Sequence, residues 1–349
     1  MTNESEHTEA FPTLSDRERQ VLLYVIEQHV STAQPVGSRS LSKLTDLQLS
    51  PASIRNVMAD LEEIGLIGHP HTSAGRVPTD QGYRYYVDAM MREWVLSSED
   101  RSFIDSQLNE ASASAIGDLI RASSHILSRI SRQLAVVAAP SLASGVLQRL
   151  ELIPVASDKV MVILSIRSGI VKTIIMNVHT EVPRDQLDSI GTLLNERLSG
   201  LTLREIRETF TDRMRDSDQH DRDIIRLFID SSDKLFSERI DSSSLCIEGM
   251  QGITRQPEFE DAERMRNIIE LVENQEIIVH VLEDISTGQS LTIRIGKELR
   301  HEKMADYSII SSPYRLGQLM GAVSIVGPKR MDYPRMAAIV DYLARVIST

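Results

Sequence analysis

The sequence has one cysteine, one tryptophan and no long apolar run, and each shortage removes a class of protein. A lone Cys246 can form no disulfide within the chain and no cysteine-rich zinc site, so a secreted disulfide scaffold is not expected. Nothing approaches the roughly 18 to 20 consecutive apolar residues of a membrane helix, which predicts no membrane partner. The opening stretch MTNESEHTEAFPTLSD lacks the basic-then-apolar layout of a secretion signal. It reads as a disordered lead over residues 1–13, and the location reads as cytoplasmic. Basic residues are scarce too: 38 Lys and Arg face 50 Asp and Glu, a net charge of -12. That balance excludes a protein that coats nucleic acid by general attraction to phosphate, so any DNA contact must be local and shaped.

What is present is a chain of 349 residues with 41% hydrophobic and 25% charged residues, enough for several cores. The first signals are helical. Ser15 and Glu18 have capping-box spacing, and Val21, Leu22, Val25, Ile26 and Val30 recur at helical intervals, which predicts a helix over about 15–30. After the breaker QPVG, Ser38 is expected to cap a short helix carrying Leu41 and Leu44 and stopping near Asp46. In SPASIRNVMADLEEIGLI, Ser50 is a preferred cap and Pro51 suits the first helical position. Ile54, Val57, Met58, Leu61 and Ile64 make one apolar stripe, and Gly65 ends it. GHPHTSAGRVPTD then carries turn residues between two brief extended pieces, so three helices and a hairpin follow in winged helix-turn-helix order. A further helix is expected from Thr79 to about Trp94.

The remainder reads as α+β. Residues 97–115 shift in composition as a junction would, and a helix carrying Ile116 to Leu134 follows. DKVMVILSIRSGIVKTIIMNV suggests a hairpin around Arg-Ser-Gly, and Leu187 to Leu198 outline a helix. Carboxylates crowd residues 200–275 in helical-looking segments, like an inserted unit. Strands are expected at EIIVHVLED, SLTIRIG, YSIISS and GAVSIVG, before a closing helix marked by Met336, Ile339, Val340, Leu343 and Ile347.

The polar face of the third helix, Ala52, Ser53, Arg55 and Asn56, has the chemistry to read bases. Arg pairs with guanine and Asn with adenine through two hydrogen bonds, Ser reaches base or phosphate, and Ala fits against a thymine methyl. Alone, a capped helix with a wet Arg and Asn is commonplace; its place after a short helix and before a hairpin is what points to DNA. Between 36 and 86 the bases Arg39, Lys43, Arg55, Arg76 and Arg84 only balance Asp46, Asp60, Glu62, Glu63 and Asp80. Placement decides more than the sum, and Arg39, Arg55 and Arg76 fall at two helix starts and the hairpin, where phosphate is met.

SPASIRNVMADLEEIGLI and, one residue on, HPHTSAGRVPTDQGYRYYVD closely resemble the signature of the bacterial heat-inducible transcription repressor family, HrcA. The resemblance implies an α+β multidomain protein: an N-terminal winged helix-turn-helix, a GAF-like α+β domain and an inserted helical dimerisation domain. The boundaries expected are 14–95 for the head with its linker helix, 96–199 and 276–349 for the two GAF-like parts, and 200–275 for the insert. It also implies repression of chaperone operons by a homodimer bound to an inverted-repeat operator in double-stranded DNA, with activity dependent on the chaperonin and on heat. Carried onto this chain, the recognition helix uses Ser50, Ala52, Ser53, Arg55 and Asn56, phosphate positioning falls to Ser38 and Arg39, and the wing to Thr72, Ser73 and Arg76. Tyr83, Tyr85 and Tyr86 belong to the signature but are expected to pack.

No enzyme, metal or cofactor is expected. His69 and His71 flank a proline without the further ligands a tetrahedral site needs, and IGKEL at 295–299 has Glu298 where a phosphate loop needs Ser or Thr. The alternative is a ligand-gated transcription regulator with an effector pocket in the GAF-like domain, which fold analogy cannot establish.

Overall fold

The structure is a computed structural model that describes residues 12–43, 49–70, 75–91, 95–110, 116–142, 145–167, 169–178, 182–215, 226, 228, 245–286, 290–317 and 319–348. The fold is mixed α and β. Its chain contacts define two compact units, one of residues 1–137, 246–312 and 323–343, the other of 138–245, 313–322 and 344–349.

The first unit opens with α1 (Asp16–Thr32), whose N-cap Ser15 and Glu18 close the capping box that the spacing predicts. Then come α2 (Ser38–Leu41) and α3 (Pro51–Glu63). Val21, Leu22, Val25 and Ile26 of α1 bury against Leu41 and against Ile54, Val57, Met58 and Leu61 of α3, one small core. Two antiparallel strands, β1 (Ile67–Gly68) and β2 (Val77–Pro78), complete it. Ser38 is the first residue of α2 and not its cap, which is Gly37; a side-chain cap is dispensable in a single turn. Leu44 and Asp46 lie outside the described residues.

Thr79 caps α4 (Asp80–Tyr85), accepting from the Gly82 amide at 3.1 Å and donating to the Gly65 carbonyl at 2.6 Å. A π-helical turn, Tyr86–Met90, carries the chain on, and Met91 is extended, so the expected long helix ends early; Trp94 is outside the described residues. The expected junction at 97–115 is instead helical over α5 (Ser98–Glu110). Ile104 buries fully, and Arg129 of α6 (Ile116–Ser131) stacks 5.6 Å from the Phe103 ring, so tertiary packing overrides a polar composition.

A five-stranded sheet follows in the order β7-β3-β10-β9-β8, from β3 (Leu134–Ser141), β7 (Leu245–Glu248), β8 (Thr292–Ile295), β9 (Tyr307–Leu316) and β10 (Leu319–Pro328). The helices α9 (Ala262–Glu273), α10 (Gln275–Ser286) and α11 (Tyr333–Val346) belong to the same half of the sequence. EIIVHVLED is therefore helix α10 and not a strand. Its buried residues Ile277, Ile278, Val281 and Leu282 are spaced for one helical face, and that face outweighs the β-branched content.

Ion pairs join the N-terminal helices to this sheet within the first unit. Arg84 forks onto Glu298 at 2.8 and 2.6 Å and donates to the Ile293 carbonyl at 2.6 Å. Lys329 meets Asp80 at 2.7 Å, and Arg330 bonds the Val30 carbonyl at 2.6 Å.

The second unit holds β4 (Leu147–Ala156), β5 (Lys159–Ile166) and β6 (Val171–Asn177) as an antiparallel three-stranded sheet, with α7 (Arg184–Leu198) and α8 (Leu203–Arg213). The hairpin at Arg-Ser-Gly joins β5 to β6; β4 is an additional strand that the sequence did not suggest. Val160, Val162, Leu164 and Ile166 point inward onto Leu187, Ile190, Leu194 and Phe210.

Candidate nucleic-acid interface

The site is built on α3. Ser50 Oγ accepts from the Ser53 amide at 3.1 Å, and Pro51, which has no amide to satisfy, follows it, so the first turn is fixed by two adjacent residues. Because Ile54, Val57, Met58 and Leu61 bury one face, the opposite face is dictated: Ala52, Arg55, Asn56, Ala59 and Asp60 are exposed and Ser53 is half-buried. Arg55 and Asn56 thus sit outermost in the first half of the helix. Ser53 also shares a hydrogen bond with Ser50, 2.9 Å between hydroxyls, so one of its bonding positions is already used.

The balanced charge of the stretch resolves in space. Arg39, Lys43 and Arg55 are exposed and have no ion pair among the described residues. Asp80 is matched by Lys329 and Glu62 by Arg76, leaving Asp60 and Glu63 as the exposed acids of α3, toward its far end. A carboxylate there opposes the helix dipole and stands away from the cationic end. Among the described residues the free charge at the start of α3 is therefore basic; Asp46 lies outside them.

Of the other sequence-predicted residues, Ser38 is half-buried and Arg39 is exposed on α2. Thr72 and Ser73, expected in the wing, lie outside the described residues, as does His71. Arg76 is described and is turned inward: its guanidinium bonds Glu62 and His69, and its side chain is 18% exposed. That cluster was missed in the sequence, where Glu62 and Arg76 merely look like a surface acid and a surface base 14 residues apart. Tyr83 and Tyr85 are buried, as packing residues would be, and Tyr83 lies 5.8 Å from the ring of Tyr333. Burial pushes the Tyr83 phenol well above its ordinary value; the Tyr86 phenol is pushed up to about 12, by burial first and then by Glu27 and Asp332. Neither phenol ionises near neutrality. Among the described residues no three His, Cys, Asp or Glu side chains come together as metal ligands, and no helix is long and apolar enough to cross a membrane.

Comparison with known proteins gives a concordant picture. A family model described as the HrcA protein C-terminal domain matches residues 117–337. Over 347 residues the chain is 42% identical to a heat-inducible transcription repressor HrcA of Chlorobium phaeobacteroides (strain BS1), covering 97% of this chain and 98% of that one. It is 41% identical over 345 residues to the protein of the same name from Prosthecochloris aestuarii, covering 96% and 97%. Among solved structures, a hypothetical protein crystallised at 2.2 Å resolution shares the fold, with a TM-score of 0.58 and 23% identity over 96% of this chain and 98% of that one.

Proposed function

This chain belongs to the heat-inducible transcription repressor HrcA family, and from that premise we propose that it binds an inverted-repeat operator in double-stranded DNA as a homodimer. In doing so it represses heat-shock chaperone operons. In this reading α1 to α3 with β1 and β2 form a winged helix-turn-helix, and α3 is the recognition helix. Ser50, Ala52, Ser53, Arg55 and Asn56 face the bases, and Ser38 and Arg39 hold phosphate. Thr72 and Ser73 of the wing are assigned on the sequence alone. The sheet and helices of the C-terminal half are assigned to the GAF-like domain.

The observation that carries the reading is the free face of α3, where Arg55 and Asn56 project from a capped first turn, with Arg39 and Lys43 of the preceding segment exposed and without an ion pair among the described residues. Arg and Asn there can read a guanine and an adenine, and the two free bases supply the phosphate contacts that fix register. A palindromic operator requires two heads related by a two-fold axis. The insert at 200–275 is where the resemblance puts the contact between copies; we assign it instead to the outward face of β4 to β6, where Ile153, Met161 and Ile175 align in one row by strand register and Ile163 adjoins Met161. Val171 is 58% exposed and Ile175 55%, an apolar face that an isolated copy leaves in water.

Regulation follows from the population of folded repressor. With a stability margin close to zero at the heat-shock temperature, a change of about 1 to 2 kcal/mol alters the folded, active fraction severalfold, so chaperonin that refolds the chain sets repression and heat removes it. The test is an electrophoretic shift with the chaperonin promoter of the source genome, with and without chaperonin. A shift that chaperonin strengthens is expected. No shift in either lane would refute operator binding, and a shift indifferent to chaperonin after heating would refute the regulation.

A further inference from the structure

Arg76 stands where a wing would meet phosphate, yet each nitrogen of its guanidinium has a partner within the chain. Nε and Nη2 bond Glu62 Oε2 at 3.0 and 2.7 Å, and Nη1 meets Nδ1 of His69 at 2.9 Å. Arginine has only donors, so His69 Nδ1 must accept, and the ring hydrogen sits on Nε2, 3.4 Å from Glu62 Oε1. The three side chains close a ring. The main chain of Arg76 is engaged as well: its amide donates to the Val36 carbonyl at 2.9 Å and its carbonyl accepts from the Val36 amide at 2.8 Å. Beside it, a Cβ on Gly75 would lie 2.8 Å from Pro35, so only glycine permits this approach. One residue therefore joins the entry to α2 through its backbone and the last turn of α3 through its side chain.

Glu62 is otherwise badly placed. In the last turn of α3 a carboxylate opposes the helix dipole, and on a DNA-facing head it repels phosphate. We infer that Glu62 is a positioning residue for operator recognition, acting through Arg76 and His69 to hold the β1–β2 hairpin at a fixed angle to α3. The inference rests on the DNA-binding reading above. It also reassigns Arg76 from phosphate contact to the hinge of that arrangement. A head whose helix and hairpin are already set loses less entropy on docking, so the benefit falls on the sequence that needs both at once. Nonspecific binding depends on charge and gains nothing from the angle.

The test uses the full chain and two labelled duplexes, one selected by the wild-type protein from a random pool and one with that sequence scrambled. Anisotropy titrations over a salt series give both affinities. Glu62→Gln is expected to lose about tenfold on the selected duplex, as for one partner removed from a part-buried bonded pair, at an unchanged salt slope. On the scrambled duplex its affinity should hold or rise, because a negative charge is gone. The exchanged pair Glu62→Arg with Arg76→Glu should regain most of the loss. The inference is overturned if Glu62→Gln binds the selected duplex as well as wild type or better, or weakens both duplexes alike. It is overturned also if Arg76→Ala lowers the salt slope by about one, the mark of a lost phosphate contact. Should Glu62→Gln prove unfolded by circular dichroism, Arg76→Lys, which keeps the charge and loses the fork, is read by the same criteria. If wild type selects no duplex, the DNA-binding reading fails first and the inference falls with it.

Discussion

Glu258 is an acid in a position where burial alone would favour its neutral form. Burial acts to raise its pKa, but the hydrogen bonds from Arg330, at 2.5 and 3.1 Å, with a backbone bond and the charges of Arg330 and His29, hold it below the usual carboxylate value. Both side chains are little exposed, so the pair is not a screened surface contact. A folded value below the unfolded one, about 4.3, means the stabilisation is complete above that pH and is lost as pH falls through the folded value. Glu258→Gln should therefore cost about 1 to 3 kcal/mol at neutral pH, with Arg330 keeping its bond to Val30. Calorimetry at stepped pH should find the gap from wild type closing below about pH 4.5. A gap constant from pH 7 to 3 would remove Glu258 as its source. At α3 the relevant chemistry is recognition: Arg55→Ala or Asn56→Ala should weaken operator binding by about 1 to 3 kcal/mol and relax base preference at one position. Affinity and selectivity both unchanged in a binding-site selection would take that residue off the interface.

Among the elements, α3 and α4 have boundaries set by single atoms. Ser50→Ala removes the acceptor for the Ser53 amide and should cost about 1 kcal/mol in thermal unfolding. Gly82→Ala should cost more, because the added Cβ would lie 2.0 Å from the Leu66 carbonyl oxygen, a backbone atom that cannot rotate away. A melting temperature unchanged in Gly82→Ala would mean that α4 does not pack against the start of β1 as described. Both helix starts were legible because caps, Pro51 and the apolar stripe act within a few residues. α10 was not: EIIVHVL has the β-branched content of a strand and, at Ile277, Ile278, Val281 and Leu282, also the spacing of a helix face. Only the surface available to bury it decides between the two, and that surface is made by distant residues. The same limit hid the inward turn of Arg76 and the fork from Arg84 to Glu298, 214 residues apart. Local patterns show which face of a helix is wet; they do not show which wet charges are already paired.

On the scale of the whole molecule the consequence is the assembly. Along β5 the outward residues alternate with the buried Val160, Val162 and Leu164, so a residue of the outward face can be changed without touching them. Ile175 pairs with Met161, which pairs with Ile153, giving an apolar row across all three strands. Arg149 and Glu151 lie on the same face of β4 and bond each other at 3.0 Å, so the patch carries both signs and can complement its own copy across a two-fold axis. Burying such a face twice over is favourable at about 25 cal/mol per Å2 of apolar area, whereas an acid in the row would have to be desolvated against its own image. Ile175→Asp should thus yield a folded monomer by sedimentation, with the far-ultraviolet spectrum of wild type. Its affinity for a half-site duplex should be unchanged while its affinity for the full inverted repeat falls toward the half-site value, because the second head is no longer tethered to the first. A variant that remains dimeric at wild-type concentration dependence would place the two-fold contact elsewhere on the chain.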